Sequence, residues 1–591
     1  MVRSVASGAV SHPVWNEMTR RIVCVNVFIL SGVLLMSCSP SEYARRADRD
    51  AYNTLTTAQQ DALGGSTGFD IAYQPLAAST GPAESESTTQ PVRGGAIRVG
   101  DRCIPLGGET TAIISVQEAT EIALRNSRLY QSQKEDLYSQ ALAVANGRRF
   151  WTWGGFGGHV TGRAEHAVGP GGTETNVGEA GVHGEVVRKL MSGGQLVLGS
   201  GLEVASDLSG WGGTTVGSLL RANFSQPLLR GAWNGLAYEP QYRLERDLIF
   251  AVYTHQRFSQ TFATDIIRQY YGVLEQRDQL ENERTNIVRL KETFELTKIL
   301  VQGQQVSPIE QDQAEQNLLD AEVRLRNSES AYWDALDQFK LSLGLPLAAR
   351  IDVDYPGALE ALQEAGPLSM PLDVAYATAL ALRTRPDVLR QFASTRDADR
   401  DVEIAADGFL PQLNLLAGIS ATGTSPRQPQ RIRDHTRHVG VELEYNLDQT
   451  DNRDTYRRAQ IAADRSRRGL EEFMDTVSLE VRQRYRLLDQ SRQNYDIQQR
   501  SVQIAQRRSK LATLQFKEGM ASTRDVLEAE EALRNAQNGK TSALISYTTT
   551  RLDFLASLGM IDVDEKGVVH ERTEAVSFDR IQNRYPYVGG L

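Results

Sequence analysis

Cysteine, aromatic residues and long apolar runs are all scarce in this chain of 591 residues. Three cysteines, Cys24, Cys38 and Cys103, are too few for the disulfide framework that holds small secreted domains together. Aromatic residues make up 7% of the chain and hydrophobic residues 40%, which is the low end of the range for compact globules. This composition favours a long, thin architecture with much solvent-exposed surface.

The chain also lacks an excess of positive charge and the common motifs of catalysis. Its formal net charge is −10, which argues against sequence-independent binding to nucleic acid phosphates. The eight histidines show neither HExxH nor a paired metal spacing, the run WGGFGG lacks a following helix cap, and no serine lies in a nucleophile elbow. We therefore expect no catalytic residues, no metal site and no cofactor.

The N-terminus has the pattern of a secretory signal. A short basic start at residues 18–21 precedes an apolar run of about 15 residues, Ile22 to Met36, which is too short for a membrane-spanning helix. The run ends in Leu-Met-Ser-Cys, which resembles a bacterial lipoprotein box and makes Cys38 the candidate site of lipidation. The alternative is an ordinary signal peptide with an incidental cysteine, and translation begins at either Met1 or Met18.

The remainder of the chain contains an internal duplication. Residues 267–276 read IRQYYGVLEQ and residues 481–490 read VRQRYRLLDQ, at an offset of 214. At an offset of 215, the residues that recur are Ser307, Ala314, Glu315, Leu318, Ala321, Tyr332, Phe339, Ser342, Leu343 and Gly344. Two copies of about 200 residues are too few and too large for a solenoid, so they predict one fold with approximate two-fold symmetry.

The two copies define a division of the chain into segments. Before the copies come a signal peptide at 1–38 and a flexible N-terminal tether at 39–112 with local helix near Ala51 to Leu63. The first repeat spans 113–344, with a β region at 150–230 and a helical hairpin at 238–344; the second spans 372–560, with a β region at 408–450 and a helical hairpin at 451–560. A linker at 345–371 joins the repeats, and an irregular tail follows at 561–591.

Each copy is predicted to contain one helix of unusual length, from about Tyr238 to Gln302 and from about Asp451 to Lys517. At 1.5 Å per residue, each spans about 100 Å. Apolar residues recur along both helices every seven positions, at Ile266, Val273, Leu280, Ile287, Phe294 and Val301, and at Met474, Val481, Leu488, Tyr495 and Val502. This repeat predicts coiled-coil helices, with a single buried stripe on a globular core as the alternative.

Both long helices are followed by a turn and a returning helix of about half the length. The first turn has Gly303, then Ser307 as a cap with Pro308 and Glu310 in the first helical turn. The second has Gly519, then Ser522 and Asp525 in the same pattern. These sequences predict the tips of two helical hairpins.

The β regions alternate between apolar and polar residues. In the second copy Val439, Val441 and Leu443 point to one side and the residues between them to the other. Such a sheet could cover a dry core in a soluble protein, or it could be part of a membrane-embedded barrel. Tryptophans 151, 153, 211 and 233 border the first β region, where interfacial aromatics would lie in a barrel. Two to four strands per copy require several chains to close a barrel.

Together these features resemble the TolC family of outer-membrane efflux and secretion channels. The resemblance covers about residues 113–560 and includes GFLPQLNLLAGI at 408–419, FSQPLLRG at 224–231, and the tip sequences GQQVSPIEQDQAEQNL and GMASTRDVLEAEEAL. It implies a mainly α fold of duplicated coiled-coil hairpins with antiparallel strands, which forms a trimeric α-barrel and a twelve-stranded transmembrane β-barrel.

The resemblance also implies a function and partners. A homotrimer would form a passive export duct, lipid-anchored in the outer membrane and extending into the periplasm, for a tripartite efflux pump or a type I secretion system. Its tips, with Gly303, Ser307, Glu310, Gly519 and Ser522, would dock a periplasmic adaptor protein and, through it, an inner-membrane transporter. The alternative is a lipid-anchored periplasmic coiled-coil protein without a channel.

The family closes its periplasmic end with carboxylates, and the matching positions here are Asp525 and Glu528. The family's tyrosine and arginine near this tip are replaced by Phe516 and Ala521, so we expect a different latch that uses Arg524 or Lys517. Other readings are that Asp525 is a helix cap and that Glu528 belongs to a solvated acidic run with Glu530 and Glu531. The first copy also has about 43 extra residues in its β region, with candidate strands at 182–190 and 195–206, and we expect this extra segment to form an extracellular loop.

Overall fold

The computed structural model describes residues 40–63, 68–72, 96–99, 102–105, 111–153, 155–168, 174–207, 214–232, 235–366, 373–425, 434–564 and 568–571. The helices in these segments are α1 (Pro40–Leu63), α2 (Val116–Asn126), α3 (Arg128–Arg149), α4 (Glu239–Gln302), α5 (Pro308–Ser342), α6 (Gly357–Ala365), α7 (Val374–Thr384), α8 (Pro386–Asp407), α9 (Thr450–Lys517) and α10 (Thr523–Ser557). The strands are β1 (Ala96–Val99), β2 (Arg102–Pro105), β3 (Ala112–Ile114), β4 (Gly155–Val168), β5 (Glu174–Lys189), β6 (Gln195–Asp207), β7 (Thr214–Pro227), β8 (Ile351–Val353), β9 (Gln412–Ser425), β10 (Asp434–Glu444), β11 (Ile561–Val563) and β12 (Val569–Glu571).

Two helical hairpins dominate the molecule, as the duplication predicts. Helices α4 and α9 have 64 and 68 residues, and the returning helices α5 and α10 have 35 residues each. The seven-residue seam is buried at Ile266, Val273 and Leu280 in α4 and at Val481 and Leu488 in α9. The predicted coiled-coil hairpins are therefore confirmed, and their lengths follow the sequence within one residue at the start of each long helix.

Shorter helices flank the half of each hairpin that lies next to the β region. Helices α2 and α3 precede the first β region, and α7 and α8 precede the second. Helix α2 begins with a capping box in which Ser115 accepts from the Glu118 amide while the Glu118 carboxylate accepts from the Ser115 amide. The two copies build matching cores, because Tyr332 and Phe339 are buried in the first and their equivalents Tyr547 and Phe554 are buried in the second.

The four hairpin helices lie side by side in the order α9–α10–α4–α5. Helix α10 of the second copy packs against α4 of the first, so the two copies join into one layer rather than two separate bundles. Helix α9 is at one end of this layer and α5 is at the other.

The long strands form one antiparallel sheet of six strands in the order β10–β9–β7–β6–β5–β4. Strand β7 of the first copy pairs with β9 of the second from Val216 opposite Ser425 to Pro227 opposite Asn414. The extra residues of the first copy, expected to form an extracellular loop, form strands that continue the same sheet with regular register. The candidate strands at 182–190 and 195–206 correspond to the C-terminal half of β5 and to β6.

The local helix predicted near Ala51 to Leu63 is present, and it begins earlier than predicted, so this part of residues 39–112 is not a flexible tether. Helix α1 covers residues 40–63 and packs on α3 and α4 through Ala51, Leu55, Ala58 and Ala62, which are all buried. The Tyr138 hydroxyl donates to Asp48 at 2.5 Å, which adds a polar contact to the apolar ones. The small residues of α1 allow close contact between helices. The polar composition of the rest of the segment makes this contact face hard to recognise in the sequence.

Short paired strands lie before and after the helices of the two copies. Strand β3 pairs in parallel with β8, and β11 pairs with β12. Part of the tail predicted to be irregular is therefore ordered: β11 packs on α4, and Gln260 donates to the carbonyl of Ile561 at 2.6 Å. Among the described residues, no helix has the length and apolar content that crossing a membrane requires.

Candidate functional site

The two hairpin tips lie next to each other and share a hydrogen-bonded contact. The Glu310 carboxylate, at the start of α5, accepts from the Thr523 hydroxyl at 2.7 Å and from the Thr523 amide at 3.3 Å. Thr523 is the first residue of α10 and is fully buried. Glu310 therefore caps the helix of the other copy, because it satisfies an amide that has no partner within its own helix.

The first tip departs from the predicted capping box. Ser307 accepts from the amide of Ile309, but Glu310 does not reach back to Ser307. The glycine at 303 ends α4 with an ordinary backbone angle of φ −77°, and the left-handed residue is Gln304 at φ 57°. The sequence pattern locates this turn correctly, and the left-handed residue lies one position after the glycine.

The second tip follows the predicted cap closely. Gly519 has φ +73°, a conformation that favours glycine because it has no Cβ. Ser522 and Asp525 form a complete capping box, in which the Ser522 hydroxyl donates to Asp525 at 2.7 Å. Hydrogen bonds from the Ser522 side chain and backbone hold the pKa of Asp525 below its ordinary value. The Asp525 carboxylate is thus engaged in local structure.

Glu528 has an exposed side chain next to two arginines. Arg524 donates to Glu528 at 2.9 Å from one turn away, and Arg508 of α9 lies 3.9 Å from it. Glu528 and Asp525 share an exposed stripe of α10 with Glu531. In the described residues Arg524 therefore pairs within its own helix, and the hydrogen-bonded contact between the two tips is made by Glu310 and Thr523.

Glu530 does not belong to a solvated acidic run. It is 3% exposed, forms an ion pair with Arg289 of α4, and accepts from the Ser509 hydroxyl of α9 at 2.6 Å. Phe516, at the position of the family tyrosine, is 2% exposed in an apolar cluster with Val526. The two neighbouring glutamates, Glu528 and Glu530, thus have opposite surroundings.

A second buried ion pair joins the copies higher in the layer. Arg534 of α10 donates to Glu283 of α4 at 2.6 Å, and Arg324 of α5 lies 3.8 Å from the same carboxylate. Glu283 and Arg534 are both buried. Sequence reasoning missed this pair because their positions, 251 residues apart, carry no local signal of contact.

The sheet has one apolar and one polar face. Apolar side chains occupy one face on every strand, including Phe156, Val160, Val186, Leu198, Leu202, Leu220, Ala222, Leu415, Ile419, Val439 and Val441. Phe156 is 74% exposed and Val439 is 80% exposed. The opposite face carries ion pairs, such as Arg221 with Glu185. An apolar face left open to this extent requires a cover that the single chain does not supply.

The ends of the helical layer also expose apolar residues. On α9 the exposed residues Ile497, Ile504 and Leu511 recur every seven positions, on a different face from the buried seam. On α5, at the other end, the exposed set is Leu319, Val323 and Trp333. Both the layer and the sheet therefore have two unlike, unpaired edges.

Two further sequence predictions concern lipidation and metals. Cys38, the candidate lipidation residue, lies outside the described residues. Within the described segments, no group of three or more His, Cys, Asp or Glu side chains is positioned to hold a metal ion.

Comparisons with known proteins point to one family. The model of the family described as outer membrane efflux protein matches residues 378–560. The alkaline protease secretion protein AprF of Pseudomonas aeruginosa is 26% identical over 338 residues, which cover 55% of this chain and 67% of that protein.

Solved structures share the fold at low sequence identity. The CmeC outer membrane channel of Campylobacter jejuni has a TM-score of 0.56 and 15% identity, over 80% of this chain and 89% of that one. The outer membrane protein VceC of Vibrio cholerae has a TM-score of 0.56 and 14% identity, over 75% of this chain and 96% of that one. The mainly α fold with an antiparallel sheet is thereby confirmed.

Proposed function

We propose a specific role for this chain on the premise that it belongs to the TolC family of outer membrane efflux proteins. The chain is an outer-membrane channel subunit of an efflux or secretion system, and its family is one of channels rather than enzymes. Its own part is that of a passive duct: it supplies a wall, and the energy and the choice of cargo come from partners.

The observation that carries this proposal is the open, two-edged shape of the chain. The helical layer ends in α9 on one side and in α5 on the other, and the sheet ends in β10 and β4. Each layer thus has a second-copy element at one edge and a first-copy element at the other. Unlike edges of this kind pair head to tail, and such contacts form a ring when the rotation between neighbouring chains closes.

In a homotrimer, the neighbouring chains would cover the exposed edges of the helical layer and of the sheet. The exposed seam of Ile497, Ile504 and Leu511 on α9 would pack on the exposed residues of α5 in the next chain, as in other coiled coils. Three chains would then enclose one lumen, with the helices forming a tube across the periplasm and the strands forming a barrel in the outer membrane.

The hairpin tips are proposed as the docking surface for a periplasmic adaptor protein. Gly303 and Ser307 of the first tip and Gly519 and Ser522 of the second lie at the end of the layer farthest from the sheet. Glu310 holds the two tips together and so presents them as one surface. The adaptor would connect this surface to an inner-membrane transporter.

Asp525 and Glu528 are proposed as the periplasmic gate, with unequal parts. Three copies of Glu528 would form a ring of carboxylates that attracts cations. Arg524 and Arg508 beside it would limit mutual repulsion and keep the ring compact. Asp525 would act mainly through its capping box, which fixes the direction of α10 at the constriction.

The N-terminus is proposed to carry a signal peptide at residues 1–38 and a lipid on Cys38. The acyl chain would anchor the protein to the outer membrane, and residues 39–112 would connect this anchor to the first repeat at 113–344. Helix α1 would make this connection short, because it is docked on α3 and α4. The second repeat remains assigned to residues 372–560.

Reconstitution of the purified protein tests the proposed function. We expect a detergent-soluble trimer that produces single-channel currents in planar bilayers. A monomer that is soluble without detergent and gives no currents would contradict the proposal and favour a periplasmic coiled-coil protein.

The gate is tested with Glu528→Ala in the same channel. Loss of three carboxylates from a narrow ring should raise conductance or weaken block by divalent cations severalfold. Glu364→Ala, which removes an exposed carboxylate on the short helix α6, serves as the control and should change neither property. Unchanged values for Glu528→Ala would remove it from the gate.

A further inference from the structure

The extra β segment of the first copy raises the question of how wide the membrane barrel is. The resemblance to the family implies twelve strands in three chains, which is four strands per chain. This chain has a sheet of six strands, four from the first copy and two from the second. The two additional strands, β4 and β5 at one edge of the sheet, either belong to the barrel wall or rise above it.

Strand pairing in the additional part is as regular as in the rest of the sheet. Strand β4 pairs with β5 from Gly155 opposite Val187 to Val168 opposite Glu174, along its whole length. Strand β5 pairs with β6 from Val177 opposite Asp207 to Lys189 opposite Gln195. The sheet therefore has no break at which an external hairpin would begin.

The apolar face is continuous across the boundary between the shared and the additional strands. One row of directly paired residues runs Phe156, Val186, Leu198, Ala222 and Ile419, from β4 to β9. Directly opposed residues of an antiparallel sheet have side chains on the same face. An extracellular hairpin has no reason to continue this apolar row, whereas lipid would cover it in a barrel.

Two arginines lie on the apolar face. Arg188 is one residue from the end of β5 and lies over the Trp153 ring at 5.0 Å, and Arg437, which pairs with Ile419, is the fourth residue of β10. Arginine and tryptophan at strand ends are typical of the membrane interface, where the charge reaches water.

The opposite face is polar on the additional strands as well. His183 of β5 lies 3.3 Å from Glu203 of β6 and stacks on His159 of β4 with ring centroids 4.8 Å apart. Arg163 pairs with Glu165 on β4 at 2.9 Å. Groups of this kind face the water-filled lumen of a wide barrel.

We propose that all six strands of each chain are barrel wall, so that three chains close an eighteen-stranded barrel. This inference rests on the proposed trimeric channel. The free edge of β4 pairs with the free edge of β10 in the next chain. At a strand spacing of about 4.8 Å and a tilt of about 40°, the distance across the barrel between backbones rises from about 24 Å for twelve strands to about 36 Å for eighteen. The periplasmic gate, rather than the barrel, then limits the size of the cargo.

Cysteine labelling in outer membranes distinguishes the wall from a loop. In a Cys103→Ser background, with its residual labelling subtracted, Val160→Cys should be protected from a water-soluble maleimide and Thr161→Cys should react. Strand β9, which is wall on either assignment, provides matched controls: Leu415→Cys should be protected and Ser420→Cys should react. Rapid labelling of both β4 cysteines would overturn the proposal.

Cross-linking identifies the neighbour of β10. A cysteine at Val441 of β10, combined with cysteines scanned along residues 158–164 of β4, should yield covalent trimers on oxidation. The same scan along residues 198–204 of β6 should yield none. Trimers formed through β6 would indicate a twelve-stranded barrel and overturn the inference while retaining the trimeric channel. A monomeric unmodified protein would instead contradict the proposed function itself.

Discussion

The two tip glycines differ in backbone conformation although they occupy similar places in the sequence. Gly519 has φ +73°, whereas Gly303 has φ −77°. An L side chain at a left-handed position costs about 1–2 kcal/mol. A Cβ at either residue would have space, since nothing lies within 4 Å at Gly519 and the nearest atoms lie at 3.6 Å at Gly303. The two glycines therefore differ in the backbone angle φ and not in the space available for a Cβ.

We expect Gly519→Ala to destabilise the second tip by about 1 kcal/mol and Gly303→Ala to leave the first tip unchanged. The readout is hydrogen exchange of tip amides, where the alanine at 519 should raise local opening by roughly fivefold. Equal effects at the two sites would show that the glycines are not distinguished by their backbone angles.

Glu310 is a second residue whose role depends on the other copy. Its carboxylate accepts two hydrogen bonds from buried Thr523. Glu310→Ala should therefore leave the Thr523 amide and hydroxyl unsatisfied, at a cost of about 1.5–3 kcal/mol. We expect faster exchange in the first turn of α10 and more frequent channel opening. Glu315→Ala, on an exposed position of α5, is the control and should change neither.

At the scale of elements, buried ion pairs fix the register between hairpins. Removing Glu283 takes away the buried partner of Arg534 and leaves it with the exposed Glu531 at 3.6 Å, so the cost is up to about 3–5 kcal/mol. Glu283→Leu should lower the thermal unfolding midpoint clearly, whereas the double variant Glu283→Leu with Arg534→Met should recover most of the loss. Arg326→Ala breaks an exposed pair with Glu329 and should change stability by less than about 0.5 kcal/mol. A double variant as unstable as the single one would refute this account.

The surroundings of one histidine give the helical region a dependence on pH. His255 of α4 is half-buried, with its ring 5.6 Å from Tyr130 of α3 and 6.4 Å from Phe69. Burial, together with the positive charge of Lys134, lowers the pKa of His255 to about 4. The folded state thus holds this imidazole neutral, while the unfolded state takes up a proton below about pH 6.5.

Stability should therefore fall as the pH drops from about 6.5 to 4, because the unfolded state binds more protons in this range. The loss due to His255 reaches up to about 3 kcal/mol at the lower end. Thermal unfolding midpoints measured between pH 7.5 and 4.5 should decline more steeply for the wild type than for His255→Gln. Parallel pH profiles would exclude His255 as the cause.

At the scale of the whole molecule, assembly should depend on the exposed seam of α9. Ile504→Asp introduces a charge into the proposed contact with α5 of the next chain, so we expect loss of the trimer in light scattering of the detergent-solubilised protein. Gln506→Asp, an exposed residue on a different face of α9, should leave the trimer intact. A stable Ile504→Asp trimer would exclude this seam as the interface.

Much of the molecule could be predicted from the sequence because its signals are local and periodic. The seven-residue repeat gave the long helices, the duplication gave two hairpins, and Ser522 with Asp525 gave a cap that forms as expected. The alternation of apolar and polar residues, as at Val439 to Leu443, gave strands with two unlike faces. Each of these features depends on residues a few positions apart.

Tertiary structure decided what depends on distant residues. In the folded chain Glu310 accepts hydrogen bonds from Thr523 instead of capping its own helix, and Glu530 is buried while Glu528 is exposed. Helix α1 packs on α3 and α4, and the additional strands pair with the rest of the sheet. None of these outcomes follows from a local pattern, because hydrogen bonding and burial are set by which elements become neighbours. The physical reason is that periodicity specifies the faces of an element, whereas only packing specifies which partner each face meets.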